Sequence, residues 1–171
     1  MKKEKKTRRI RKILVPTDFS SFSDQAVDYA AMLAKAFRAG IALIHVTEPF
    51  PYTVTDTLIV VEHGRTLNTI AQSLLDNLRK RLTAKGLKVR VRLARGTPYR
   101  EIIKEAGKDK TDMIVMGTHG RTGVGHLLLG SVAEKVVRLA GCPVLTVRSS
   151  PGARKARRSK ARKEPVVTFY G

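Results

Sequence analysis

Between Met116 and Val136 the chain reads MGTHGRTGVGHLLLGSVAEKV, five glycines followed by a run with helical spacing. Glycine lets backbone approach a ligand closely, and the bare N–H groups at a helix start attract anions, so the chemistry this segment offers is anion binding. The spacing decides between the known devices. A dinucleotide fingerprint needs G-x-G-x-x-G directly between strand and helix, but Gly123-Val124-Gly125 is followed by His126, Leu127 and Leu128. A P-loop needs G-x-x-x-x-G-K-[ST]; Gly125 and Gly130 have that separation, yet Ser131 stands where the lysine belongs. What remains is Gly117-x2-Gly120-x9-Gly130-Ser131, with the last pair opening a helix. Its N–H groups and serine hydroxyl form a phosphate cradle that lacks its own cation. The plainer reading is that these glycines only make turns. A second polar segment, Pro16-Thr17-Asp18, ends the apolar run KILV, and Asp18 there reads either as a ligand contact or as the cap of the next helix.

Both segments need a scaffold, and the pattern around them alternates. KILVPTD suits a strand buried on both faces; SSFSDQAVDYAAMLAKAFRAG repeats Ala26, Ala30, Leu33, Ala34 and Phe37 at helical spacing and closes at Gly40. IALIHV is a second strand. A helix with Leu67, Ile70, Ala71, Leu74, Leu75, Leu78 and Leu82 follows, read as a core-facing stripe and ended by Gly86. KVRVRLAR alternates apolar and basic residues as an edge strand does, and a short helix from Tyr99 to Ala106 stops at Gly107. DMIVMG, SVAEKVVRLAG and CPVLTVR supply strand, helix and strand. This predicts a single α/β domain: an open five-stranded parallel sheet with four helices on its two faces, a Rossmann-like three-layer α/β/α architecture. Ligands bind such sheets beyond the carboxyl ends of the strands, where strand order reverses. If the first and fourth strands flank that point, the two polar segments share one crevice.

Of 171 residues, 42% are hydrophobic, enough for one core, and no apolar run is long enough for membrane insertion. The reading is therefore a cytoplasmic protein without a signal peptide. The lone Cys142 has no partner for an internal disulfide and reads as a small buried hydrophobe. The net charge of +20 is concentrated at the ends: residues 1–12 carry +7 and residues 149–171 carry +6. Like-charge blocks repel themselves, so residues 1–9 are expected to form a basic disordered arm, 10–148 the domain, and 149–171 a basic flexible tail.

The whole of residues 10–148 resembles the universal stress protein family, in its ATP-binding branch. The carriers are ILVPTDFS, IALIHV, the Gly96-Thr97-Pro98 turn, the block DMIVMGTHGRTGVGHLLLGSVAEKVVR and CPVLTVR. The resemblance implies the adenine nucleotide alpha-hydrolase-like variant of the fold, with ATP, or AMP/ADP, in the crevice. It places Pro16, Thr17 and Asp18 on the adenosine side and Val46 against adenine through its backbone. Met116 and Gly117 lie against the nucleotide, and His119, Gly120, Gly130, Ser131 and Val132 surround the phosphates. Ala133 stands where such proteins often carry a hydroxyl, one phosphate contact fewer. With no lysine in the loop, Mg²⁺ or Mn²⁺ is expected to offset the phosphate charge, with no metal site built by protein side chains alone.

No catalytic residue is assigned. Phosphoryl transfer needs positioned cations and a group that orients the nucleophile, and only His119 in the loop offers a base, with a plain solvent-exposed histidine as the competing reading. Slow or absent hydrolysis follows, and the resemblance then implies a regulatory or sensor domain. His45 reads as a core histidine, His126 as packing or capping, and His63 receives no role. CPVLTVR is expected to be the outermost strand, and the resemblance implies a homodimer through this Cys142 to Arg148 strand. The alternative is a dimeric scaffold without nucleotide, whose basic arms bind nucleic acid or another anionic surface non-specifically. Solubilising tails are the plainer account of the same arms.

Overall fold

The structure, a computed structural model, describes residues 9–48, 57–118, 129–148 and 167–170, with 57–65 and 167–170 as backbone only. In chain order the elements are β1 (Lys12–Pro16), α1 (Ser21–Phe37), β2 (Gly40–Thr47), α2 (Thr57–Thr83) and β3 (Val89–Arg95). They continue with α3 (Pro98–Lys108), β4 (Met113–Gly117), α4 (Ser131–Leu139), β5 (Val144–Val147) and β6 (Val167–Tyr170). Strand order is β3-β2-β1-β4-β5-β6, and the first five strands are parallel. The expected five-stranded parallel sheet with four helices is therefore present, and β6 extends it.

Strand alternation divides the core into two layers. Ile13 and Val15 of β1 pack with Ala26, Ala30 and Ala34 of α1 and Leu75 and Leu82 of α2, while Leu14 packs on the opposite side with Ile102 of α3 and Val136 of α4. The central strands β1 and β4 are buried on both faces, which is why their sequences read as continuous apolar runs. Edge strand β3 alternates as expected from Val89 to Leu93, with Arg90 and Arg92 exposed, and the pattern shifts at its end, where Ala94 is buried and Arg95 exposed. Arg81 of α2 ties that helix to α1 through Asp24, with guanidinium nitrogens 2.8 and 3.4 Å from its carboxylate.

Several local expectations are corrected. Helix α1 ends at Phe37 through Arg38, which takes the left-handed conformation at φ 54°, so Gly40 does not close the helix but opens β2. Helix α3 runs through Gly107 to Lys108. The α2 stripe is only partly core. Ala71, Leu75 and Leu82 are buried, whereas Leu67, Ile70 and Leu74 are exposed, because one helix facing a sheet buries about a third of its circumference and the seven apolar positions span more. Cys142 is half-buried and packs against the α3–α4 side of the core.

The largest correction concerns the last parallel strand. β5 is not outermost: β6 pairs with it antiparallel, Val144 opposite Tyr170 through Val147 opposite Val167. Four of the residues assigned to a flexible tail thus form a strand, since an apolar edge of unpaired N–H and C=O groups favours any chain segment able to complete it. Residues 1–8, 149–166 and 171 of the expected arms lie outside the described residues.

Candidate functional site

The chain builds outward from β1 through β2 to β3, then crosses back to lay β4 on the other side of β1. Strand order reverses between β1 and β4, so their carboxyl ends flank a crevice, as the polar segments required.

One wall is the turn from β1 into α1. The Thr17 N–H donates to the Ile44 carbonyl at 2.9 Å, carrying the β1–β2 ladder one residue past the strand. The Thr17 hydroxyl accepts from the Phe19 N–H at 3.1 Å and lies 3.1 Å from the Ser23 hydroxyl. Asp18 Oδ1 accepts from both the N–H and the hydroxyl of Ser20, at 3.0 and 2.6 Å. Ser20 Oγ in turn accepts from the Ser23 N–H at 3.2 Å, making Ser20 the N-cap of α1. Asp18 therefore braces the cap without being it. Burial pushes its carboxyl pKa up, but the hydrogen bonds from Ser20 and Ser23 outweigh that and hold it below the usual carboxylate value.

Phe19 sits at φ 63°, a conformation rarely adopted by a bulky residue, and is held there by the bonds on either side of it. His45 completes the support. Its Nδ1 lies 2.7 Å from the Thr17 carbonyl oxygen, which can only accept, so Nδ1 carries the proton; its ring lies 4.4 Å from that of Phe19. Sequence reading had placed His45 in the core. The pairing of residues 28 apart leaves no local signal.

The other wall is the end of β4 with the start of α4. Met116 is buried and Gly117 half-buried. The Thr118 N–H donates to the Val147 carbonyl at 3.1 Å, and the Gly130 N–H donates to the Thr118 carbonyl at 2.8 Å, clamping the helix start to the strand end. Gly130 is the N-cap of α4 and has no side chain to cap it. The first-turn N–H groups of Ser131, Val132 and Ala133 point out of the helix by its geometry, at the positive end of the helix dipole. Gly130 has φ −58°, a backbone conformation open to any residue, so its lack of a side chain is not required by the turn itself. Ser131 is exposed and Val132 half-buried, whereas Ala133 is buried on the core side with Val136, where a hydroxyl would face apolar neighbours.

Of the predicted residues, Pro16, Thr17 and Asp18 stand at the end of β1, and Met116 and Gly117 at the end of β4. Gly130, Ser131 and Val132 join the latter through the Gly130–Thr118 bond. Pro16 is level with Ile44 in the β1–β2 register, which brings Val46 level with the Asp18 turn. His119 and Gly120 lie outside the described residues. Among the described residues no group of three His, Cys, Asp or Glu side chains is arranged to hold a metal. The donors fit an anionic ligand that brings its own counter-ion better than a protein-built metal cage. A hollow of about 610 Å³ also runs along α2, lined by Asn68, Gln72, Asp76, Lys80 and Leu93. It lies against the β3 edge, two strands away from the strand reversal.

The universal stress protein family model matches residues 9–148. The chain belongs to the universal stress protein family. A universal stress protein of Methanocaldococcus jannaschii is 38% identical over 139 residues, covering 81% of this chain and 82% of that protein. Among solved structures, that of the M. jannaschii protein MJ0577 superposes with a TM-score of 0.77 at 31% identity, covering 84% of this chain and 99% of the other. A universal stress protein solved in complex with cAMP gives a TM-score of 0.65 at 26% identity, covering 84% of this chain and all of that one. No helix among the described residues of this family member is long and apolar enough to cross a membrane.

Proposed function

We propose that this protein is a regulatory stress-response protein of the cytoplasm that binds an adenine nucleotide, with ATP as the first choice and AMP or ADP as alternatives, in the crevice between β1 and β4. The observation that carries this reading is the uncapped start of α4, clamped to the end of β4 by the 2.8 Å Gly130–Thr118 bond at the strand reversal. The family relative solved with cAMP supports it from outside. The Asp18 turn and Val46 meet the nucleoside. Gly130, Ser131 and Val132, with His119 and Gly120, meet the phosphates, and Mg²⁺ or Mn²⁺ enters with the nucleotide. Hydrolysis is slow or absent, so nucleotide occupancy acts by shifting a conformation or a partner surface. A homodimer through the β5 strand requires β6 to leave the edge that it occupies. The basic arms form a separate module for non-specific contact with nucleic acid, governed by salt.

Calorimetric titration with Mg·ATP, AMP and GTP tests the reading. Micromolar or tighter affinity for the adenine nucleotides is expected. Absence of binding to all three leaves the glycines as turn-formers and the chain as a scaffold whose function lies in its basic arms.

A further inference from the structure

The described part of the C-terminal extension is a strand, and where it lies has consequences for assembly. β5 presents Val144, Leu145, Thr146 and Val147, all buried, and its outer edge is paired in full register by Val167–Tyr170 of the same chain. Without β6 that edge is a row of unpaired backbone donors and acceptors beside an apolar strand, the kind of surface that recruits a second strand. A second copy of this chain presents the same strand, and two such edges meeting antiparallel about a two-fold axis satisfy each other.

We propose that Val167–Tyr170 is an intramolecular cap that prevents two copies of this chain from pairing through β5, so that the C-terminal extension sets the oligomeric state. The proposal is independent of nucleotide binding. Only nineteen residues separate Val147 from Val167. A connection of that length presents β6 to β5 at an effective concentration on the order of millimolar. At ten micromolar protein, on the order of the concentrations used for light scattering, a second copy offering an equal four-residue contact is disadvantaged roughly a hundredfold. The connector opposes this with self-repulsion, since residues 149–166 carry seven Lys or Arg against one Glu, which lowers the advantage without reversing it. The composition of the cap also fits the role: VTFY is β-branched and aromatic, and Pro165 stands between it and the charged run in the sequence.

The test is light scattering of the full chain beside the full-length double variant Thr168→Pro/Phe169→Pro. Successive N–H groups of a strand point to opposite sides, so one of the two prolines necessarily removes a donor facing β5. The unaltered chain should be monomeric at ten micromolar and the variant dimeric, and a synthetic EPVVTFYG peptide in excess should return the variant to monomer. A dimeric unaltered chain, or a variant that stays monomeric with native circular dichroism, overturns the proposal. Should the variant fail to fold, hydrogen exchange on the unaltered chain decides. Amides of β5 and of Val167–Tyr170 that exchange slowly together support the cap, and free exchange of Val167–Tyr170 overturns it.

Discussion

The two walls of the crevice do the same structural job by opposite means. Each carries the chain from the end of a central strand into a helix. The β1–α1 turn satisfies itself: Thr17, Asp18, Ser20 and Ser23 exchange hydrogen bonds, the helix has its serine cap, and His45 anchors the Thr17 carbonyl from the neighbouring strand. Among the described residues, the β4–α4 junction has the Gly130–Thr118 bond and then a helix start with no capping side chain. The first wall is shape fixed in advance. The second presents first-turn N–H groups that no side chain among the described residues caps. On the proposed reading, rigidity lies where the nucleoside is gripped and free N–H groups lie where its phosphates bind.

The contrast breaks most visibly at Gly130. Gly130→Val should weaken nucleotide affinity at least a hundredfold, about 2.7 kcal/mol, against a stability loss of about 1 kcal/mol from the poorer N-cap. Because Gly130 has φ −58°, valine is sterically admissible in the backbone, and the lost heat in a titration would report blocked access rather than misfolding. Unchanged affinity would move the ligand elsewhere. On the other wall the effect should fall on stability instead. Ser20→Ala removes the α1 cap and the hydroxyl bond to Asp18 while leaving the backbone N–H bond to it, costing about 1–2 kcal/mol and lowering Tm by roughly 2–8 °C in thermal unfolding.

Gly130→Asp sharpens the comparison by making the second wall resemble the first. A carboxylate at that position caps α4 and should raise stability by about 0.5 kcal/mol while repelling phosphate, so that melting temperature and affinity move in opposite directions. The smallest effect is the acid response of Asp18. Its folded pKa is lowered, so the stability it contributes is fully present above the unfolded value of about 3.9 and is lost as pH falls through the lower folded value. In Asp18→Asn, denaturant titrations between pH 3 and 6 should lose that part of the slope.

Much of this was legible beforehand. The apolar runs of β1 and β4 announced strands buried on both faces, and the spacing of Gly117, Gly130 and Ser131 announced a bare helix start, because period and composition are local properties. The α2 stripe shows the limit. Seven apolar residues at helical spacing do not say which of them the sheet will cover, and Leu67, Ile70 and Leu74 are left exposed. Arg38 shows another: glycine at position 40 points to a helix end there, yet the residue that takes the left-handed conformation and ends the helix is an arginine two positions earlier.

By itself, the sequence determined the type and order of the five parallel strands and four helices, the family, and the chemistry offered at two strand ends. Each of these follows from short-range pattern and from the right-handed crossover that parallel strands impose. Tertiary structure alone decided that His45 supports the Thr17 turn, that Phe19 is held at positive φ, and that Val167–Tyr170 covers the edge of β5. Those outcomes depend on which distant segments come together, and backbone groups left unpaired by one part of a chain can be satisfied by any other part that reaches them.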